Sequence, residues 1–324
     1  IYLPIITTFI QIICFSNFLM DDWGQLGNGI DFREQVSDWT DLWAFRPISW
    51  IAIPAIVHFL RDNYVLLSIT HLAIISYSLV EISNWRLLAF STRQKLLARY
   101  LLFAPAIASS MFLSPINQLS ASLSLLFFAL ALQIEKKNLS PLLESTLIPA
   151  FFIFSLLSYE ITAPLILTYY LVNSLRARKR GLIFEAACVF VIFVAWQKIV
   201  APNLFLSDFS RIRAFNPGAG ISLFFSTGVS FPLSLLTALF DPGKFLYILL
   251  FCGFLFLVSR KHSNVVTSRS NKSISLALFA GIASSSLLFF IAGAYSQING
   301  YQNRGMSGTW VLISLLIATR YELS

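Results

Sequence analysis

The sequence predicts an all-α protein, a polytopic bundle of about ten to eleven transmembrane helices with interfacial helices in its first outer loop. Three observations carry that prediction. Of 324 residues, 57% are hydrophobic and only 12% charged, with a mean hydropathy of +0.74. The apolar residues form near-continuous runs of roughly 15–20, the length a helix needs to cross hydrocarbon. They do not alternate with period two as the strands of a membrane barrel would, and helices and closed barrels are the two ways to satisfy a backbone in lipid.

In chain order the runs fall at 1–20, 64–83, 97–113, 119–134, 142–158, 161–175, 182–201, 244–259, 273–293 and 307–320. The first lacks the small-residue cleavage site of a signal peptide and reads as a span. Two further apolar segments, 47–60 and 223–240, are ambiguous. No repeat or low-complexity linker divides the chain, which reads as one membrane domain over 1–324.

The net charge of +8 does not indicate nucleic acid, because the basic residues sit in short clusters between apolar runs, the signature of loops retained in the cytoplasm. Four clusters define that side: Arg86, Arg93, Lys95 and Arg99; Lys136 and Lys137; Arg176, Arg178, Lys179 and Arg180; Arg260, Lys261, Arg269 and Lys272. Placing all four inside puts the loops 21–63, 202–222 and 294–306 outside. It also puts outside the turn Tyr159-Glu160 between 142–158 and 161–175. Only one crossing then separates the 21–46 stretch from Arg86. The segment 47–60 is short and holds Pro47 and Pro54, so it is expected to lie in the interface. The same parity makes 223–240 interfacial or re-entrant.

This topology gathers the candidate functional residues on one side. Asp21 and Asp22 follow an uncharged first span, and six of the fifteen acidic residues lie between Asp21 and Asp41. A carboxylate at the membrane boundary is suited to act as a general base, its partner turned to an amide or a cation; the alternative is a solvated helix end or an N-cap. Arg46, before Pro47, suits phosphate through its planar fork, or snorkels at the surface. Glu160, beside Tyr159, is the one charge between Ser145 and Leu175. It reads as a second acid at the site, as an anchor for an outer arginine, or as an exposed turn. Arg211 and Arg213 escape the inward bias of basic residues and fit an anionic ligand or phospholipid head groups. Arg304 closes the set from the far end of the chain.

Other residues read as packing. Trp23, Trp39, Trp43 and Trp50 form an aromatic belt, with stacking on a sugar ring as an alternative for one of them. Cys14, Cys188 and Cys252 fall in apolar segments, and His58, His71 and His262 have no metal-ligand spacing. No phosphate-binding glycine loop, nucleophile elbow or Cys-x-x-Cys motif occurs.

The text Asp21-Asp22-Trp23-Gly24, a polar aromatic-rich loop and then Arg46-Pro47-Ile48-Ser49 resembles the integral-membrane glycosyltransferases of the GT-C superfamily. Among these it is most similar to bacterial O-antigen glucosyltransferases that use a polyprenyl-phosphate sugar. The likeness covers about 30 residues and otherwise rests on general architecture. It implies that Asp21 or Asp22 activates or positions the acceptor hydroxyl. It further implies that Arg46, Arg211, Arg213 or Arg304 stabilises a lipid-phosphate leaving group; Tyr159 and Glu160 join the candidate substrate-binding residues through their own position at the outer turn, not through the likeness. The implied partners are a polyprenyl-phosphate sugar donor, a glycan or lipid-linked acceptor and membrane lipids, on the outer face of a bacterial plasma membrane. A monophosphate leaving group needs no metal where arginines supply the charge; a divalent ion held by Asp21, Asp22 and Glu160 is the alternative. Two rival functions remain at this level. An O-antigen polymerase or ligase typically has one large outer loop, whereas the outer loops here run to about 26 residues. A lipid or oligosaccharide transporter or flippase would concentrate charge near the membrane centre rather than at one boundary.

Overall fold

The computed structural model describes residues 45–60, 63–103, 119–137, 139–177, 181–204, 218, 221, 269–292 and 307–320. The described chain is all-α, and no strand occurs among the described residues. Four segments are long and apolar enough to cross a membrane: Val65–Leu88, Leu119–Lys136, Pro141–Ser158 and Gly181–Val200. The protein is a helical membrane protein. The spans expected at 1–20 and 244–259 and the ambiguous segment 223–240 lie outside the described residues.

Helix α1, Pro47–Leu60, starts with proline in its first turn, where the missing N–H costs nothing, and the amides of Ser49 and Trp50 close onto the Arg46 carbonyl. At 14 residues it is about 21 Å long, too short to cross about 30 Å of hydrocarbon. Helix α2, Tyr64–Ser83, is capped by the Asn63 side chain, which accepts from the Leu66 amide at 2.9 Å. A 3₁₀ turn, Arg86–Leu88, follows and closes on Ala89 in the left-handed region (φ 51°).

Helix α3, Thr92–Leu102, corrects the expected span start at 97. It begins five residues earlier on a capping box, in which Ser91 and Gln94 satisfy each other's backbone amides. Arg93 and Lys95 therefore ride on the same helix as Arg99 rather than in a loop before it. Helix α4, Leu119–Lys136, and helix α5, Pro141–Ser158, form an antiparallel pair; α5 has proline at its start and Pro149 inside. A 3₁₀ turn, Glu160–Thr162, leads directly into α6, Ala163–Ala177. Helix α7, Gly181–Ala195, runs on through a π-turn, Trp196–Val200, to Ala201–Leu204. Helix α8, Arg269–Ala292, starts four residues before the expected 273, so Arg269 and Lys272 fall in its first turns. Helix α9, Ser307–Arg320, packs on α3, α6 and α8.

Side-chain bonds define the two ends of the bundle. At one, Lys136 at the end of α4 pairs with Glu81 at the end of α2. There Arg99 also donates to the Ser83 hydroxyl and the Asn84 side-chain oxygen, both at 2.9 Å, covering the C-terminus of α2. The described members of the first two basic clusters thus collect at this end. The opposite end carries Ser158 at the close of α5 and Asn63 at the start of α2. Helix α1 has both its termini there. Its first residues bond to the Ser158 region, and Leu60 hands directly to Asn63 through an N–H···O bond of 2.9 Å. Its buried residues Trp50, Ile53 and Val57 rest on Leu67, Leu119, Leu123 and Ala201, which lie at that same end of α2, α4 and α7. Helix α1 therefore lies across the end of the bundle and does not traverse it.

The interior is aromatic. Trp85 stacks on Tyr169 (centroids 6.0 Å, planes 11° apart) and meets Phe128 edge-on at 5.8 Å, while Phe152 stacks on Phe128 at 5.6 Å. Lipid supplies no hydrophobic contrast between helices, so such contacts and close backbone approaches hold them together. Among the described residues two glycines make the closest approaches. A methyl on Gly308 of α9 would overlap the carbonyl oxygen of Ile161, and one on Gly281 of α8 would overlap the Thr168 hydroxyl of α6 and reach Leu312 of α9 at 3.0 Å.

Candidate functional site

The most elaborate polar assembly among the described residues sits where α1 starts. After Ser158 the chain turns to an extended residue, Tyr159 (φ −165°, ψ 132°), and then into the 3₁₀ turn that carries Glu160. This elbow is buried rather than an open hairpin turn: Tyr159 is 7% exposed, and Ile161 and Thr162 are inside. Three hydroxyls hold it. Ser124 of α4 bonds to the Tyr159 carbonyl at 2.8 Å and to Thr162 at 2.9 Å; Ser155 of α5 bonds to Thr162 at 2.7 Å and donates to the Ser124 carbonyl at 2.7 Å. In hydrocarbon such bonds replace the missing water around a helix break.

Glu160 is thereby presented to Arg46, 114 positions earlier in the chain. The guanidinium donates through Nε at 3.0 Å to one carboxylate oxygen and through Nη2 at 2.6 Å to the other, a two-pronged charge-assisted pair. Its central carbon sits 3.9 Å from the centre of the Tyr159 ring, within cation–π range. Burial opposes the charge on Arg46, but Glu160 and Tyr159 more than compensate and hold its pKa above the ordinary guanidinium value. Stabilisation from a raised pKa is present below the ordinary value and is lost only as pH climbs through the raised one. For a guanidinium both lie above any working pH, so Arg46 stays charged.

Two further bonds fix the same stretch. Ser49, fully buried, donates to the Ser158 carbonyl at 2.7 Å, and the Gln197 side chain of α7 donates to the Phe45 carbonyl at 2.8 Å. Trp50 meets Trp196 edge-on at 6.3 Å, so this tryptophan packs between helices. The sequence singled out Arg46, Tyr159 and Glu160, which the structure brings together. It named Ser49 only within the text Arg46-Pro47-Ile48-Ser49 and did not single out Ser124, Ser155, Thr162 or Gln197, although hydroxyls set within apolar helices were visible as a signal. Asp21, Asp22, Arg211, Arg213 and Arg304 lie outside the described residues.

The histidines and the cysteine behave differently from one another. His71 is buried within α2 and its Nδ1 lies 3.1 Å from the Ser122 hydroxyl of α4, while His58 is exposed on α1. Cys188 is a free thiol, half-buried rather than fully packed. Among the described residues no three His, Cys, Asp or Glu side chains stand close enough to hold a metal ion. Glu160, the described member of the acidic set considered for a divalent ion, is engaged by Arg46.

Comparisons with protein-family models, with curated proteins and with solved structures return no match to this chain.

Proposed function

We propose that the protein is a GT-C-type glycosyltransferase. It would move a sugar from a polyprenyl-phosphate donor to a cell-envelope glycan or lipid-linked acceptor at the outer face of a bacterial plasma membrane. The observation that supports this most is the Arg46–Tyr159–Glu160 cluster beneath a helix lying across one end of the bundle. The acidic stretch 21–44 enters the described fold at Phe45, beside that cluster, at the end opposite the basic residues Arg99 and Lys136.

In this mechanism the carboxylate of Asp21 or Asp22 takes the proton of the acceptor hydroxyl. The hydroxyl oxygen bonds to the anomeric carbon while the bond from that carbon to the phosphate oxygen breaks, inverting the centre. The electron pair leaves on the lipid phosphate, whose charge Arg211, Arg213 and Arg304 meet. Arg46, tied to Glu160, holds the exit of the acidic stretch in register and adds positive charge at the rim of the site.

The test is transfer of a labelled hexose from its polyprenyl phosphate by protein reconstituted in liposomes. Asp21→Asn and Asp22→Asn are to be assayed singly and together. One of them is expected to lower turnover by 10²-fold or more, in keeping with loss of a general base. Full turnover in both single variants and in the double variant would end the proposal. Movement of the labelled lipid between leaflets without transfer would point to a flippase instead.

A further inference from the structure

The ion pair at the head of α1 is asymmetric. The Arg46 side chain is 16% exposed and that of Glu160 36% exposed, so the acid is the partner that reaches solvent. Arg46 is also held by other means. Its guanidinium carbon lies 3.9 Å from the centre of the Tyr159 ring, and Tyr159 is buried with its carbonyl bonded to Ser124. The Arg46 carbonyl receives the amides of Ser49 and Trp50 in the first turn of α1. The carboxylate can therefore turn out to water while the guanidinium stays against Tyr159. Holding the elbow is not a task for the pair alone, because Ser124, Ser155 and Thr162 already bond there. What a largely buried guanidinium does require is an anion, since its charge left alone in a partly dry site is costly. A ligand that displaces Glu160 must then bring negative charge and two oxygens that match the fork. Nε and Nη2 bond to separate carboxylate oxygens at 3.0 and 2.6 Å, and a phosphate presents two oxygens in the same way.

We propose that Glu160 occupies the Arg46 fork as a resident stand-in for a phosphate, and that a phosphate monoester takes Arg46 by exchange with it while Tyr159 keeps the guanidinium in place. One anion replaces another: two N–H···O bonds to the carboxylate break, two to phosphate oxygens form, and the carboxylate turns to water. That this phosphate belongs to the lipid of the sugar donor rests on the glycosyltransferase reading, but the exchange itself is measurable without any sugar. Its sign is distinctive. Glu160 and the phosphate compete for one fork, so neutralising the acid tightens phosphate binding, whereas an acid that merely built the site would weaken binding when lost.

The experiment is equilibrium binding of radiolabelled farnesyl phosphate to the full chain in phosphatidylcholine nanodiscs, with empty nanodiscs as the baseline and the hexose-transfer assay run beside it. Glu160→Gln is expected to bind about tenfold tighter than wild type. Arg46→Gln is expected to bind about a hundredfold weaker, for the loss of two hydrogen bonds from a charged donor. The double variant leaves neither charge unmatched, so it guards against misfolding of either single change. Its affinity is expected to lie within about threefold of Arg46→Gln, because a half-exposed carboxylate alone is well screened. Unchanged or weaker binding in Glu160→Gln overturns the exchange. So does wild-type affinity in Arg46→Gln, or a tenfold gain from Glu160→Gln that persists in the Arg46→Gln background. Unlabelled competitors identify the source. Displacement by inorganic phosphate assigns the fork to a free phosphate, and displacement by farnesyl phosphate with neither inorganic phosphate nor farnesol competing assigns it to a lipid-borne one. Displacement by farnesol means that the prenyl chain alone is bound, which overturns the proposal. If the variants respond as described and the wild type transfers no hexose, the exchange stands and the transferase reading falls; hexose transfer without a gain in Glu160→Gln gives the reverse.

Discussion

Replacing Glu160 by glutamine tests the central ion pair. The change removes the negative charge but keeps the shape, leaving one oxygen to accept from Arg46 and turning an amide toward the other guanidinium N–H. Two unit charges about 4 Å apart interact by about 4 kcal/mol at an effective dielectric of 20. The pair lies between two regimes: exposed pairs contribute about 0–1 kcal/mol, and breaking a buried one costs about 3–5. The Arg46 side chain is 16% exposed and that of Glu160 36% exposed, so solvent screens one partner well and the other little. A cost of about 2 kcal/mol follows for Glu160→Gln, and a coupling of about 1–2 kcal/mol between the sites in a cycle with Arg46→Gln. The assay is reversible unfolding in mixed micelles, followed by tryptophan fluorescence for all four proteins at low and high salt. Because Glu160 is well screened and Arg46 little, salt is expected to weaken the coupling without abolishing it. Coupling below about 0.5 kcal/mol, or coupling abolished by salt, would mean that the pair is a surface contact and that the elbow is held by its hydroxyls alone.

Two further perturbations address the helix contacts. Gly308→Ala drives a methyl into the Ile161 backbone, which has no room to give, and is expected to cost about 2–3 kcal/mol in the same unfolding assay. Gly281→Ala meets a side-chain hydroxyl instead, so it is expected to cost less and to be relieved by adding Thr168→Ala, whereas no side-chain change at Ile161 is expected to relieve Gly308→Ala. Ser155→Ala removes a donor to the Ser124 carbonyl and a partner of Thr162 within the elbow. A loss of about 1 kcal/mol is expected, with Ser155→Thr retaining more stability than Ser155→Ala.

Sequence alone located the helices well where hydropathy and capping agree. The run at 64–83 is α2 to the residue, between Asn63 and Asn84, and 307–320 is α9. Hydropathy failed where a helix begins with charge, because polar first turns look like loop: α3 starts at Thr92 and α8 at Arg269. The capping box Ser91-Thr92-Arg93-Gln94 was the local signal for the first of these. At the site, its place as the one charge in apolar text marked Glu160 as needing solvent, a proton or a partner, while Arg46 stood out as an outer arginine before Pro47. That the partner is an outer arginine was one of the readings open for Glu160; which arginine was not legible, because the contact spans 114 positions and depends on α1 turning sideways.

The sideways course of α1 also orders events during synthesis. Phe45, Arg46 and Ser49 leave the ribosome well over a hundred residues before Gln197, Glu160 and Ser158 have all followed them. Until α5 and the turn after it have emerged, Arg46 and Ser49 lack Glu160 and Ser158, and Phe45 waits longer still for Gln197. A nascent or truncated chain ending before Ser158 therefore carries α1 without either of its polar partners on the elbow, and the emergence of α5 sets the moment at which that end of the bundle can close.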